Sequence, residues 1–342
     1  MLDDLKYIHE RDVQDALGIA EKQWQQLTHK FSMINDQLSI PQNVVVAGMG
    51  GSALAATFVS TWPRVSVPFE VVRNYQIPGY ADKNTLFIAS SYSGNTEETL
   101  AALEAAEANG CQIAVIAAGG KLGDRAKEKN YPWYELPGNI QPRMAVFYNF
   151  AALTQLLEAA GLAKGATSEL HAAADWLSKQ ISSWLPTVPG KDNQAKQLAL
   201  ECMGKSPVIY AGAKLFPAAY KWKINFNENA KNVAWCNQLP EFNHNEFLGW
   251  SSHPVDKPYT VIDLRSSLEH ERVQKRFEIT EKLLSGKRPA PEVVEAQGKT
   301  ILEQLLWTVV LGDFVSLYLA LLNGLNPTPV NLIEKLKTEL NN

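Results

Sequence analysis

Short apolar runs alternate with helix-forming stretches through the first third of the chain. Four such runs precede residue 130, at residues 43–47, 69–72, 85–89 and 112–117. Continuous apolar runs of this length are typical of strands that are buried on both faces of a parallel sheet. Alternation of such strands with helices predicts βαβ units, in which helices cover both faces of the sheet.

The same alternation restarts near residue 207, after a passage that is rich in Gly and Pro. A chain of 342 residues has room for two hydrophobic cores. We therefore expect an α/β protein with a first domain at residues 1–162, a connecting segment at 163–192 and a second domain at 193–342. The first 38 residues have helical periodicity, so leading helices are expected in the first domain, and further helices close the second.

Composition limits the partners and the location of the protein. The net charge of −4 and the absence of a basic run argue against a nucleic-acid surface. The three cysteines (Cys111, Cys202 and Cys236) are odd in number and have no CxxC spacing, so the sequence predicts neither a disulfide framework nor a zinc site. The first residues are acidic and lack the features of a signal peptide. We expect a cytoplasmic protein that uses no metal or organic cofactor.

A long apolar stretch at residues 305–322 is the single candidate for a membrane span in the sequence. Asp313 lies near its centre, and a carboxylate is costly in a bilayer core. The sequence therefore predicts a helix that is buried in the core or in a dimer interface.

A polar run at residues 90–99 follows one of the predicted strands and precedes a helix. The first N–H groups of a helix have no internal partners, and the helix dipole favours an anion there. Ser91, Ser93 and Thr96 would add hydroxyl donors. An ordinary N-cap is the alternative, but three hydroxyls and Gly94 exceed what a cap needs. The run therefore favours an anion site.

A glycine-rich loop at residues 48–52 closes the first buried strand and opens a helix. It fits a loose dinucleotide fingerprint, but the next strand ends at Arg73 and lacks the usual acidic residue. A tight turn is a second interpretation. Two such loops after parallel strands would face one ligand, which favours one phosphate held from both sides. Arg143 is either a solvated charge or closes over that phosphate.

Two segments of the second half combine asparagines with groups that transfer protons. They are NENAK at residues 227–231, which contains Glu228, and PEFNHNE at residues 240–246, which contains His244. Surface Asx turns would explain either segment alone. A carboxylate and an imidazole in a phosphate-binding protein favour proton transfer. His253 is interpreted as a turn residue. No metal-ligand spacing, Walker motif or G-x-S-x-G motif is present.

These motifs resemble those of a known family. GMGGS at residues 48–52 and SYSGNTEET at residues 91–99 resemble the phosphate loops of sugar isomerase (SIS) domains. The two segments around Glu228 and His244 look like those of the bifunctional phosphoglucose/phosphomannose isomerases. The resemblance covers residue 40 to the C-terminus. It implies two SIS-type, flavodoxin-like domains, and interconversion of glucose 6-phosphate or mannose 6-phosphate with fructose 6-phosphate in carbohydrate metabolism.

The resemblance also implies roles for individual residues. Glu228 would move a proton between C1 and C2 through a cis-enediol, while His244 from the partner subunit of a homodimer and a lysine of the last helix would open the sugar ring. Helical periodicity favours Lys337 over Lys335 for that lysine, because Lys337 flanks the apolar stripe. The residues implied for substrate binding are Gly50, Gly51, Ser52, Ser91, Ser93, Thr96 and Arg143, and Thr328 is a candidate contact to the sugar. Lys221 stands where relatives tend to have Arg. A lysine at this position keeps the charge but loses the bidentate fork of arginine.

Three other functions compete with this interpretation. A sugar-phosphate sensor would bind without chemistry as an SIS regulatory module, but no DNA-binding helix-turn-helix pattern accompanies it. A synthase-type isomerase domain would need an amidotransferase, for which the sequence has no N-terminal Cys. A dinucleotide-dependent dehydrogenase would require measurable affinity for NAD(P).

Overall fold

Ten strands and thirteen α-helices occur in the described part of the chain, which in this computed structural model is residues 1–31, 33–34, 38–251 and 258–340. The strands are β1 (Met33–Ile34), β2 (Asn43–Ala47), β3 (Phe69–Val72), β4 (Thr85–Ser90), β5 (Gln112–Ala117), β6 (Trp133–Glu135), β7 (Ser206–Gly212), β8 (Trp235–Leu239), β9 (Tyr259–Arg265) and β10 (Glu292–Glu295). The helices are α1 (Leu5–Arg11), α2 (Ala16–Lys22), α3 (Gly50–Phe58), α4 (Glu97–Ala108), α5 (Gly120–Lys129), α6 (Val146–Ala159), α7 (Ala166–Ile181), α8 (Gln194–Cys202), α9 (Phe216–Glu228), α10 (Glu246–Gly249), α11 (Glu271–Leu283), α12 (Ile301–Leu322) and α13 (Asn331–Leu340). The four apolar runs of the first third coincide with β2 to β5.

Packing divides the chain into two compact units. Residues Lys22–Ser178 form one, here called the N-terminal unit, and Met1–Glu21 with Lys179–Asn342 form the other, the C-terminal unit. The first 21 residues thus pack with the second half of the chain, whereas the sequence analysis placed them in the first domain. The division falls within the predicted connecting segment, and the predicted domain limits themselves stay a prediction.

Buried polar contacts explain where the N-terminal residues pack. The side chain of Lys196 in α8 is fully buried, and its ammonium donates to Asp3 at 2.8 Å and to the carbonyls of Pro186 and Val188. The hydrogen bond from Lys196 lowers the pKa of the Asp3 carboxyl. The Tyr7 hydroxyl donates to the carbonyl of Leu321 at 2.7 Å. These contacts hold the leading residues on α8 and α12.

The first 38 residues are not one helical region. Asp12 ends α1, and its buried carboxylate accepts the N–H groups of Ala16 and Leu17 at 2.8 and 2.9 Å, so α2 starts anew there. Asp15 has a positive φ of 53°. A 3₁₀ turn at Gln23–Thr28 and the short strand β1 follow. The local turn at Asp12–Asp15 overrides the helical periodicity.

The N-terminal unit contains a six-stranded sheet in the order β1-β6-β5-β4-β2-β3. All pairs are parallel except β1 with β6. Strands β3 and β4 lie on opposite sides of β2, so the strand order reverses between β2 and β4. Ala47 at the end of β2 pairs with Ala89 of β4. In open α/β sheets, ligands bind outside the carboxyl ends of the strands at such a reversal.

The C-terminal unit contains a four-stranded parallel sheet in the order β10-β9-β7-β8. Together, the two helix-covered sheets, which are parallel apart from β1, confirm the predicted α/β class. Helix α12 is long and apolar enough to cross a membrane, but 94% of its apolar window is buried inside the protein. This burial confirms the prediction of a buried core helix at residues 305–322.

Helices α9 and α12 pack closely in this unit. A Cβ on Gly312 of α12 would lie 2.2 Å from Nε1 of Trp222, which donates to the carbonyl of Thr308 at 2.7 Å. Lys221 and Asp313 form an ion pair beside this contact, with the Lys221 side chain 2% exposed. Asp313 therefore has a cationic partner in the core, which explains a carboxylate in the middle of an apolar helix.

Candidate active site

The two glycine- and hydroxyl-rich loops lie side by side at the carboxyl edge of the N-terminal sheet. The loop at residues 48–52 follows β2, the loop at 91–96 follows β4, and these two strands are paired. Each loop leads directly into a helix, α3 or α4. Neither helix has a side-chain hydrogen bond at its N-cap. The edge therefore presents two helix starts whose first N–H groups are not used by a side-chain cap.

Glycine is required in the first loop because backbone groups approach it closely. A Cβ on Gly48 would lie 2.7 Å from the carbonyl oxygen of Ser90, and one on Gly51 would lie 2.6 Å from that of Pro142. Gly50 has a positive φ of 50°, which an L side chain rarely adopts. The loop is therefore pressed against the end of β4 on one side and against the segment that carries Arg143 on the other.

Hydroxyl groups connect the two loops. Ser52 Oγ accepts the backbone N–H of Tyr92 at 3.0 Å, and the hydroxyls of Ser91 and Thr96 lie 2.8 Å apart. Thr96 is the N-cap residue of α4, yet its side chain bonds Ser91 rather than the helix, so the capping alternative does not account for it. Ser93 is exposed and accepts the N–H of Asn95 at 3.3 Å. Ser52, Ser91 and Thr96 are thus gathered at one edge, with Ser93 at its rim.

Arg143 lies in a 3₁₀ turn at Pro142–Met144 and is 3% exposed. Its burial excludes the solvated surface charge that the sequence left open. The Tyr92 hydroxyl donates to the carbonyl of Pro137 at 2.7 Å and ties the preceding segment to the second loop. Burial raises the pKa of Tyr92, which keeps this donor protonated. The packing of Gly51 on Pro142 then brings the arginine segment beside the start of α3.

Gly51→Ala is expected to destabilise the protein by about 1–3 kcal/mol, because its methyl group would overlap a backbone oxygen that cannot rotate away. The same displacement would disturb the loop that we expect to hold the phosphate. Urea unfolding and substrate titration measure the two effects. Gly79→Ala is the matched control, since a Cβ there meets no atom within 4 Å. Equal stability of the two variants would contradict the close approach.

Glu228 is the last residue of α9 and does not lie in a surface Asx turn, which was the alternative for its segment. The neighbouring asparagines explain the difference, because they are satisfied by distant core residues rather than by Asx turns. Asn225 donates to the Asp313 carboxylate, and Asn229 donates to the Ser316 hydroxyl at 2.9 Å. Both partners lie on α12, so these polar residues hold the end of α9 in helical packing.

Glu228 lines a cavity of about 580 Å³ in the C-terminal unit. Its side chain is partly exposed, and the opposite wall comes from Pro329 and the start of α13, including Asn331 and Ile333. Thr328, which directly precedes this wall, is buried. A carboxylate at the wall of a cleft can reach a bound molecule and exchange a proton with it. This cavity is the candidate place of reaction in the unit.

Lys231, for which no sequence pattern indicated a role, borders the same cavity. Its ammonium lies within 2.8–3.3 Å of four backbone carbonyls, those of Glu228, Asn229, Asn326 and Pro327. It lies three residues beyond the end of α9 and has a positive φ of 53°. A cation next to a helix C-terminus was the available signal. Lys231 joins the end of α9 to the segment before α13.

The two candidate lysines of α13 are both exposed, and each lies about one helical turn beyond a residue that lines the cavity. Lys337 lies four residues after Ile333 and forms an ion pair with Glu334 at 3.0 Å, whereas Lys335 lies three residues after Leu332. Ile333 is 41% exposed and Leu332 is 82% exposed. Asn331, four residues before Lys335, lines the cavity as well. The choice of Lys337 over Lys335 therefore stays a prediction.

His244 is exposed at the end of a 3₁₀ turn, Glu241–His244. It makes no side-chain hydrogen bond within the described residues, and it is not among the residues of that part that line the Glu228 cavity. Lys221, the residue that departs from the usual Arg, is engaged by Asp313 in the core. His253 lies outside the described residues. Among the residues that the structure describes, no three His, Cys, Asp or Glu side chains are grouped to hold a metal ion.

Comparisons with known proteins show the relatives of this chain. The family model of the bacterial phospho-glucose isomerase C-terminal SIS domain matches residues 191–340. A bifunctional phosphoglucose/phosphomannose isomerase of Caldicellulosiruptor bescii is 36% identical over 301 residues, which are 87% of this chain and 89% of that protein. The Aquifex aeolicus protein of the same description is 34% identical over 302 residues, 87% of this chain and 90% of its own length.

A solved structure also matches the fold over nearly the whole chain. A glucose-6-phosphate isomerase like protein from Thermus thermophilus superimposes with a TM-score of 0.67 at 18% identity, covering 97% of this chain and 99% of its own.

Proposed function

Because this chain belongs to the family of bifunctional phosphoglucose/phosphomannose isomerases, we propose that it interconverts glucose 6-phosphate and mannose 6-phosphate with fructose 6-phosphate. The observation that carries the proposal is the pair of helix starts without side-chain caps at the β2–β4 edge, flanked by the hydroxyls of Ser52, Ser91 and Thr96. Helix N–H groups without a side-chain cap, together with hydroxyls, match the oxygens of a phosphate monoester.

The proposed binding role of these loops is to anchor the phosphate. Gly50 and Gly51 supply backbone N–H groups at the start of α3, and Ser93 and Thr96 add hydroxyls from the second loop. Arg143 is always charged and adds a planar fork of donors that stabilises negative charge on the enediol. A substrate that is anchored by its phosphate keeps C1 and C2 in fixed positions, which favours proton transfer between these two atoms.

Glu228 is the proposed base. Its carboxylate takes the proton from C2 of the aldose. The electron pair of the C2–H bond forms the C1–C2 double bond, while the π pair of the C1 carbonyl moves to O1, which takes up a proton from solvent and completes the cis-enediol. In the second step O2 gives up its hydrogen as a proton to solvent, the C2 carbonyl forms, and the C1–C2 π pair takes the proton back from Glu228 at C1, which gives the ketose; the same steps in the opposite order run the reaction backwards. The same enediol serves both epimers, because C2 is planar in it. No metal or organic cofactor enters this proposed route.

Ring opening is assigned to His244 and Lys337. An exposed imidazole without a bond to the described residues is available to a partner subunit, which supports a homodimer in which His244 is contributed across the interface. Lys337 lies one turn from the cavity residue Ile333 and would assist at the ring oxygen. Thr328 remains a proposed contact to the sugar.

The test is a coupled assay of the purified protein in EDTA with each aldose phosphate in turn. We expect fructose 6-phosphate from both glucose 6-phosphate and mannose 6-phosphate, at rates that EDTA leaves unchanged. Binding of either sugar phosphate without product would instead identify a non-catalytic sensor. Product from glucose 6-phosphate alone would exclude the bifunctional assignment, and loss of activity in EDTA would exclude metal independence.

A further inference from the structure

A second cavity, of about 270 Å³, adjoins the turn that carries His244. One wall is a face of α11 that presents Arg272, Lys275 and Arg276, and the other comes from Asn243 and Phe247. These cations have the spacing of neighbours on one helical face. The cavity lies in the C-terminal unit and shares no lining residue with the Glu228 cavity.

None of the three cations forms an ion pair with the described part of the chain. None of them has a carboxylate within 4.0 Å there, although the protein carries a net charge of −4. Glu281, on the same helix, is engaged by Arg265 at 3.0 Å. Glu271 and Glu278 also lie on α11, but neither is paired with these cations. Three unpaired positive charges around one concave surface attract an anion, and they suit the double charge of a phosphate better than a single carboxylate.

The half-buried Arg276 is oriented for such a role. Its Nη1 donates to the side-chain oxygen of Asn243 at 3.2 Å, and Asn243 donates to the buried hydroxyl of Thr280 at 2.9 Å. This single bond leaves the other N–H donors of the guanidinium without a partner in the described residues. A guanidinium held at one corner can present its remaining fork to two oxygens of one phosphate.

We propose that this cavity is a second anion site, which binds a small organic phosphate. Arg272 and Arg276 supply forks of donors, and Lys275 supplies a point charge. Phe247 and Ile279 form an apolar wall for the carbon part of the ligand. The start of α11 adds the positive end of its dipole. The volume fits a molecule smaller than the ligands of typical drug-sized pockets.

The site is linked to the proposed chemistry through the chain itself. Asn243, which Arg276 and Thr280 hold, immediately precedes His244. A phosphate that draws Arg276 toward itself competes with Asn243 for the guanidinium and alters the turn that presents His244. This coupling rests on the proposed isomerase function. It predicts that a phosphate in the second site changes kcat. The same ligand in the phosphate loops competes with the substrate and therefore raises KM.

Calorimetric titration with glycerol 3-phosphate, without turnover, tests the site. We expect two molecules per chain for the unaltered protein, with Lys275→Gln and Arg272→Gln each weakening one of the two binding events about tenfold. Lys275 has no hydrogen bond to lose within the described residues, so its replacement spares the fold. Lys282→Gln is the matched control, because Lys282 lies exposed on the same helix outside the cavity lining.

Two results would overturn the site: the absence of any binding event that Lys275→Gln weakens, or equal weakening of that event by Lys282→Gln. A single event that Lys275→Gln weakens would keep the site and would count instead against the phosphate loops. Turnover with added glycerol 3-phosphate tests the coupling separately. The change in kcat is expected to disappear in Lys275→Gln while the increase in KM persists. Because the binding measurement needs no activity, its failure is distinguishable from failure of the proposed isomerase function.

Discussion

Glu228→Gln is expected to lower kcat for both aldose phosphates by about 10²–10⁴-fold, which is the range that a positioned general base contributes. Glutamine keeps the size of the side chain but cannot accept the proton from C2. KM is expected to change little, because the proposed phosphate contacts lie in the N-terminal unit. The coupled assay gives both parameters, and NMR in D₂O gives the rate at which the C2 proton of glucose 6-phosphate exchanges.

Glu339→Gln is the control for that experiment, since it makes the same chemical change on the exposed surface of α13. The control should retain wild-type turnover and exchange. Wild-type exchange at C2 in Glu228→Gln would remove Glu228 from the role of base and would leave the isomerase assignment in place.

Asp313→Leu is expected to lower the free energy of unfolding by about 3–5 kcal/mol, because it leaves the buried ammonium of Lys221 without its counter-charge. It also removes the acceptor of Asn225. The double variant Lys221→Met/Asp313→Leu is expected to regain most of the loss, since an apolar pair of similar volume commonly replaces a buried ion pair at little cost.

Urea unfolding of the two single variants and the double variant closes the thermodynamic cycle. Lys221→Met alone should be destabilised as well, because the Asp313 carboxylate then loses its partner. A double variant as unstable as Asp313→Leu would show that Lys221 and Asp313 are not coupled.

Strands and loops of the N-terminal unit could be predicted because their signals are local. A buried parallel strand is a short apolar run, and the glycines and hydroxyls stand directly after β2 and β4. The break at Asp12 was missed because a carboxylate that accepts the first N–H groups of α2 looks like any polar residue in a helical pattern.

The polar end of α9 shows why the rest could not be predicted. A surface turn was an alternative for the segment that contains Asn229, but Asn225 and Asn229 bond to Asp313 and Ser316, which lie 88 and 87 residues further along the chain. The burial of Arg143 likewise depends on a close approach between Gly51 and Pro142. Pairings over such distances leave no trace in local periodicity, so only the folded chain reveals them.

The polar contacts between α9 and α12 also decide where the base points. Helix α12 is mostly apolar, so the few polar residues that it carries specify its position against α9 more strictly than its apolar side chains do. Three polar residues of α9, each about one helical turn from the next, bond to Asp313 and Ser316 of α12; they are Lys221, Asn225 and Asn229. Glu228 immediately precedes Asn229. The direction of the Glu228 side chain is therefore set by these contacts in the core. Substitutions in the core can redirect the carboxylate while every residue that lines the cavity stays the same.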